Sequence, residues 1–245
     1  MKIGFESKKG DTGILLLHGL TGTPGEVEPL GNYLSQKGIS TLGPWLKGHD
    51  TNPKDLAKTS WQDWAESALE AHDNLKKSCS KVFVGGLSMG AVQALHLAAK
   101  VPVAGVISMA APIRINDFRF NGIAFFRFLQ WWTTSLTGGI LDPAAPPHVT
   151  YPYVMTKSLY ELKKLMDVVR EELPRITAPA LVVQGRRDSM VPPKNGDWVY
   201  QALGSRAKHL LYLDRSDHVV TMDYEKQTVF EKAFKFIQSD GQRLD

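Results

Sequence analysis

Short apolar runs alternate with longer amphipathic ones along most of this chain, and that alternation leaves few folds open to it. Strands are predicted over 14–17, 39–42, 81–85, 103–109, 180–184 and 209–213. Helices are predicted over 24–37, from Ser60 to about Leu75, and over 89–100, 197–203 and 223–238. Strand runs that alternate with helical ones imply a mostly parallel central sheet with helices on both faces, an α/β architecture. Such strands are covered on both sides, so Ile14-Leu15-Leu16-Leu17 needs no polar alternation. Gly38 supplies a helix stop. Ser60-Trp61-Gln62-Asp63 reads as a capping box, with Trp61, Trp64, Ala68 and Leu75 at helical spacing behind it. A chain of 245 residues with no internal repeat fits one domain, 1–245.

One stretch breaks the rhythm. Residues 112–175 are too many for an ordinary connection, and insertions of this kind are usually lids or binding loops. Within them, Ile123-Ala124-Phe125-Phe126-Arg127-Phe128-Leu129-Gln130-Trp131-Trp132 reads as an apolar helix. Phe125, Phe128, Leu129 and Trp132 share one face of it, while Phe126 and Trp131 fall elsewhere. Two readings stand side by side: a helix packed into the core, or a cap whose inner face covers an apolar pocket and touches substrate.

Several function classes drop out. The net charge of +4 is spread along the chain, and Lys8-Lys9, Lys76-Lys77 and Arg186-Arg187 read as solvated faces, so no nucleic-acid partner is expected. The single cysteine, Cys79, excludes an intramolecular disulfide and reads as a buried or half-buried spectator. Residues 1–11 are polar, and no run approaches the roughly 18 apolar residues of a membrane span; a soluble cytoplasmic protein without stable membrane insertion is the expectation. No H-E-x-x-H, C-x-x-C, Walker or G-x-G-x-x-G pattern occurs, so neither a metal site nor nucleotide chemistry is expected.

The chemistry gathers around Gly86-Leu87-Ser88-Met89-Gly90. This G-x-S-x-G follows a predicted strand and opens a predicted helix, the setting that identifies a nucleophile elbow. Its glycines permit a sharp turn that lifts the Ser88 hydroxyl above the sheet, beside a helix N-terminus that favours developing negative charge. A serine nucleophile needs a base, and the base an orienting acid. Asp188 follows the strand 180–184 and His218 follows the strand 209–213, in the order nucleophile, acid, base. His209 begins a strand, His72 and His96 lie on helices, and His148 lies in the insertion; His18 and His49 could line the site. Among acids, Asp217 is too close to His218 in sequence to orient it easily, Asp214 ends its own strand, and Asp142 and Asp167 lie in the insertion. The oxyanion of an acyl-transfer intermediate needs preorganised donors. The Met89 amide supplies one, and the Leu20 amide, in the loop His18-Gly19-Leu20-Thr21-Gly22, the other.

With these residues in view, the chain resembles small bacterial carboxylesterases and monoacylglycerol lipases of the α/β-hydrolase superfamily. The resemblance rests on Leu15-Leu16-Leu17-His18-Gly19-Leu20-Thr21-Gly22-Thr23-Pro24, Leu46-Lys47-Gly48-His49, Trp61-Gln62-Asp63-Trp64, the elbow, and Ser216-Asp217-His218-Val219. It implies the α/β-hydrolase fold, the triad Ser88, Asp188 and His218, an oxyanion hole at Leu20 and Met89, no cofactor, and a small cap within 112–175. The family commonly has glycine where Asp50 and Ala91 stand here. Phe118 to Trp132 does not match its caps, so acyl and alcohol preference do not carry over. The expectation is hydrolysis of short- to medium-chain acyl esters, monoacylglycerols among the candidates. A thioesterase or acyltransferase with the same triad, or a ligand-binding homologue without catalysis, stays open, as does oligomeric state.

Overall fold

The computed structural model describes residues 2–115, 132–133 and 139–244. Its centre is a seven-stranded sheet in the order β1-β3-β2-β4-β5-β8-β9. The strands are β1 (Ile3–Ser7), β2 (Thr12–Leu17), β3 (Ser40–Pro44), β4 (Lys81–Leu87), β5 (Gly105–Met109), β8 (Ala180–Gly185) and β9 (Lys208–Leu213). All pair in parallel except β1, which runs antiparallel to β3. The expected parallel sheet is therefore present, with β1 as an addition: residues 1–11 are polar, yet Phe5 tucks one face of an edge strand over Gly31 and Gly43. Edge strands need only one apolar face, and a five-residue run hides that signal.

Successive strand residues divide between two cores, as a period of two requires. Leu15, Leu17, Val82, Val84, Val106, Ala180 and Val182 face one core. Ile14, Leu16, Phe83, Ile107, Leu181 and Val183 face the other. The second is closed by α1 (Glu28–Gln36) and α7 (Lys226–Gln238), whose Phe236 meets Phe83 edge-on. The first is closed by α3 (Trp61–Lys76), α4 (Met89–Lys100), α5 (Thr156–Glu172) and α6 (Lys194–Ala202). A single turn, α2 (Pro53–Leu56), interrupts the long loop after β3. Full burial of each large apolar side chain contributes about 1.5–3 kcal/mol, so the central strands present apolar residues to both cores.

Local signals act where expected. The Ser60 hydroxyl accepts from the Asp63 amide while the Asp63 carboxylate accepts from the Ser60 amide, completing the capping box of α3. Gly38 ends α1 at φ +87°, and Cys79 is buried, its thiol near the Gly10 carbonyl.

The insertion turns out differently. Phe125, Phe128 and Leu129 lie outside the described residues. Trp132 does not continue a helix: with Thr133 it forms β6 (Trp132–Thr133), paired antiparallel with β7 (Val154–Met155). Apolar periodicity over a short run does not separate helix from strand, and pairing with distant residues decided it here. Farther on, α5 joins the main body. Its Leu162, Leu165, Met166 and Val169 enter the core of α4, and Glu161 accepts from the Trp61 amide at the start of α3. Among the described residues no helix is long and apolar enough to cross a membrane.

Candidate active site

The strand order reverses direction between β2 and β4, since the chain passes from β2 outward to β3 and then returns to β4 on the other side. At such a switch point the loops leaving two neighbouring strands diverge and open a crevice at their carboxyl ends. The loop after β2 carries His18 to Gly22; the turn after β4 carries Ser88.

Ser88 sits at φ 56°, ψ −120°, a conformation that side chains avoid. Gly86 and Gly90 make it possible. A Cβ on Gly86 would lie 2.1 Å from the Gly90 carbonyl oxygen, and one on Gly90 would lie 2.1 Å from that of Leu17. The turn is thus folded on itself and pressed onto the end of β2. Strain held by surrounding structure at such a point is characteristic of functional sites. Met89 is the first residue of α4, and the first amides of a helix have no partner within it. Gly19 lies close by, since a Cβ added there would sit 3.5 Å from that of Ser88.

Asp188 and His218 follow β8 and β9. The structure brings them together: His218 Nδ1 and Asp188 Oδ2 are 2.9 Å apart, and both side chains are buried. Asp188 Oδ1 accepts from the amides of Met190 and Val191, and Oδ2 also accepts from Gln184 Nε2 at 2.8 Å. Gln184, the penultimate residue of β8, is a positioning contact that no motif announces. In a neutral ring that donates Nδ1–H to Asp188, Nε2 is the nitrogen left to accept a proton.

The rejected acid has a different task. Asp217 accepts from the Ser189 amide and hydroxyl, and its own amide donates to Asp223, so it knits the Asp188 loop to the His218 loop. Asp223 also receives the amides of Leu141 and Asp142, and the Val219 amide donates to the Gly139 carbonyl. The return leg of the insertion is therefore fastened to the loop bearing His218.

His18 and His49 are buried near the crevice, ring against ring at 4.9 Å, with Trp64 beyond. His18 Nε2 accepts from the Leu46 amide, so Nδ1 carries the proton toward the Gly19 carbonyl at 2.9 Å. Burial lowers the pKa of His18 and lowers that of His49 well below its ordinary value, with the neighbouring His18 adding to the effect on His49. Both are neutral structural rings. His209, another rejected base, faces the Gly241 carbonyl far along the sheet edge.

Residues 14–231 match the Alpha/beta hydrolase family. The chain is 34% identical over 233 residues to a thermostable monoacylglycerol lipase of Bacillus sp. strain H-257, covering 95% of this chain and 92% of that one. It is 29% identical over 238 residues to a carboxylesterase of Bacillus subtilis strain 168, covering 96% and 95%. A solved structure from work on LipS and LipT, two metagenome-derived lipolytic enzymes, superposes with a TM-score of 0.92 at 30% identity, covering 96% of each chain. The monoacylglycerol lipase of Paleococcus ferrophilus shares the fold, with a TM-score of 0.78 at 16% identity over 98% of this chain and all of that one.

Proposed function

The chain belongs to the alpha/beta hydrolase family, and from that premise we propose that it is a serine hydrolase cleaving carboxylic esters through an acyl-enzyme. Ser88 is the nucleophile, His218 the base and Asp188 its orienting acid. The observation that carries this reading is the buried hydrogen bond from His218 Nδ1 to Asp188 Oδ2, at the same rim of the sheet as a serine held at positive φ. That bond fixes the tautomer, leaving Nε2 to take the Ser88 proton as Oγ attacks the ester carbonyl, and Asp188 stabilises the imidazolium so formed. The amides of Leu20 and Met89 receive the oxyanion; each such donor contributes about 10²–10³ in rate. His218 then protonates the leaving alcohol, water attacks the acyl-enzyme with His218 again as base, and Ser88 is released.

The substrate is an uncharged ester of short or medium acyl chain, with monoacylglycerols the favoured class because a relative at 34% identity bears that name. Phe125, Phe128, Leu129 and Trp132, within the insertion 112–175, are the proposed contacts for the acyl chain. The test is direct. Ser88→Ala lowers p-nitrophenyl ester hydrolysis by about 10⁴-fold or more with the melting temperature preserved. A fluorophosphonate labels Ser88 in the wild type. Turnover surviving in the variant, or a label on another residue, overturns the assignment.

A further inference from the structure

Glu26 has no part in the steps above, yet its carboxylate is buried beside the residues that perform them. It lies on a short 3₁₀ turn (Pro24–Glu26) just after the loop of Leu20. Oε2 accepts from the Gly19 amide at 2.7 Å, and Oε1 is 2.7 Å from Nε2 of His148, a residue of the insertion. Glycine at 22 makes room for this: a Cβ there would lie 2.1–2.5 Å from the Glu26 carboxylate. Thr221, three residues past His218, donates its hydroxyl to the Glu26 carbonyl. One residue is thus fastened to the loop of Leu20, the insertion and the loop of His218.

The consequence for the Leu20 amide follows from peptide geometry. A trans peptide holds its N–H antiparallel to its C=O, so whatever fixes the Gly19 carbonyl also aims the Leu20 N–H. His18 Nδ1–H and the Gly22 amide both donate to that carbonyl, at 2.9 and 3.2 Å. Glu26 fixes the other side of Gly19 by taking its N–H. Gly19 stands between the two: a Cβ on it would be 3.1 Å from Glu26 Oε2 and 3.5 Å from the Ser88 Cβ. Without Glu26 the Gly19 N–H, on the preceding His18–Gly19 peptide, loses its acceptor, and the orientation of the Gly19–Leu20 peptide then rests on the two bonds to the Gly19 carbonyl alone. A buried carboxylate so near a developing oxyanion also needs its own donor, and His148 supplies it.

We infer that Glu26 and His148 are a positioning pair that aims the Leu20 amide at the oxyanion and ties its placement to the insertion. This rests on the reading of Leu20 as an oxyanion donor. A solvent cleft of about 270 Å³, lined by Thr23, Glu28, Asn32, Pro147 and Met222 among others, opens beside the pair. Loss of His148 therefore lets water reach Glu26, and its effect is the smaller of the two.

The experiment compares kcat, KM and inhibition by a trifluoromethyl ketone, which adds the nucleophile and generates an oxyanion, across full-length variants. Glu26→Ala lowers kcat about 10-fold, a fraction of the loss for removing a donor outright, with KM within about twofold. It weakens the ketone by a matching factor. Glu26→Gln, whose amide oxygen still accepts from Gly19, recovers kcat to within about threefold of wild type. His148→Ala lowers kcat by about threefold and adds nothing on top of Glu26→Ala. If Glu26→Ala does not fold, His148→Ala and Glu26→Gln carry the comparison through the ketone. Wild-type kcat in Glu26→Ala, a kcat loss with unchanged ketone affinity, or a loss explained by fewer fluorophosphonate-reactive sites overturns the pair's role. Failure of the wild type to react with fluorophosphonate at Ser88 would instead sink the hydrolase reading itself.

Discussion

Gly90→Ala concentrates the structural argument in one methyl group. The added Cβ would lie 2.1 Å from the Leu17 carbonyl oxygen, 2.5 Å from its carbon and 2.6 Å from the His18 carbonyl oxygen. Carbon and oxygen touch without strain at about 3.3 Å, so the first turn of α4 or the end of β2 must move by roughly 1 Å. No rotamer relieves this, because every atom in the clash is backbone or Cβ. Over-packing costs about 1–3 kcal/mol, and with no flexible side chain to yield, the upper end applies. For a domain of this size about 3 kcal/mol lowers the melting temperature by about 6–12 °C. The displaced segments are those that carry Ser88 and Leu20, and a misplacement near 1 Å costs about 10²-fold in rate. Gly25→Ala is the control, since its Cβ would meet only the flexible Thr23 hydroxyl at 3.2 Å. Thermal unfolding and p-nitrophenyl ester kinetics on both variants decide the matter. A Gly90→Ala protein as stable and active as Gly25→Ala would refute the reasoning.

Two further predictions concern buried polar groups. Gln184→Leu removes one donor from Asp188 Oδ2 while His218 remains bonded to it; kcat falls about 3- to 10-fold with KM nearly unchanged, and an equal loss in binding of substrate would contradict a purely orienting role. His49 has its pKa held well below the ordinary value by burial, so below about pH 6.5 the unfolded chain takes up a proton that the folded chain refuses. Its contribution to stability is complete above that pH, is lost at up to about 1.4 kcal/mol per pH unit as the pH falls, and levels off below the folded value. Urea unfolding of His49→Gln across pH 4.5–8 shows a shallower acid decline than wild type; parallel curves would count against it.

What could be read from the residues was what local chemistry specifies. The elbow, the capping box of α3 and the stop at Gly38 are each written in a few adjacent residues, and each formed as read. The strands on both sides of the elbow were legible because a two-sided parallel sheet leaves continuous apolar runs. β1 was not, because an edge strand with one exposed face carries half the signal. Trp132 was misassigned to a helix for a related reason: eight aromatic or aliphatic residues in ten satisfy several periods at once, and its partner Met155 is 23 positions away.

The site divides along the same line. Asp188 and Asp217 are both buried carboxylates near His218, and in the sequence only Asp217's adjacency to His218 and the strand each one follows separate the imidazole's partner from a clasp between loops. Strand position tells them apart: β8 and β9 are parallel neighbours, so the turn leaving β8 comes up beside the turn leaving β9, and Asp188 reaches His218 across it at 2.9 Å. Asp217 precedes His218 in the chain and points to Ser189 instead. Glu26 carries no motif because its partners, Gly19 and His148, come from segments 7 and 122 positions away. Its one trace in the sequence is Gly19 and Gly22 just before it, two glycines whose missing side chains leave room for the carboxylate. A small-residue loop followed at helix distance by an acid is therefore worth testing as a sign that the loop's amides are held in place from behind. Restoring bulk at Gly22 tests that logic within this chain: Gly22→Ala displaces the Glu26 carboxylate by more than 0.5 Å of overlap and should reproduce the kinetic pattern of Glu26→Ala rather than that of a distant surface glycine.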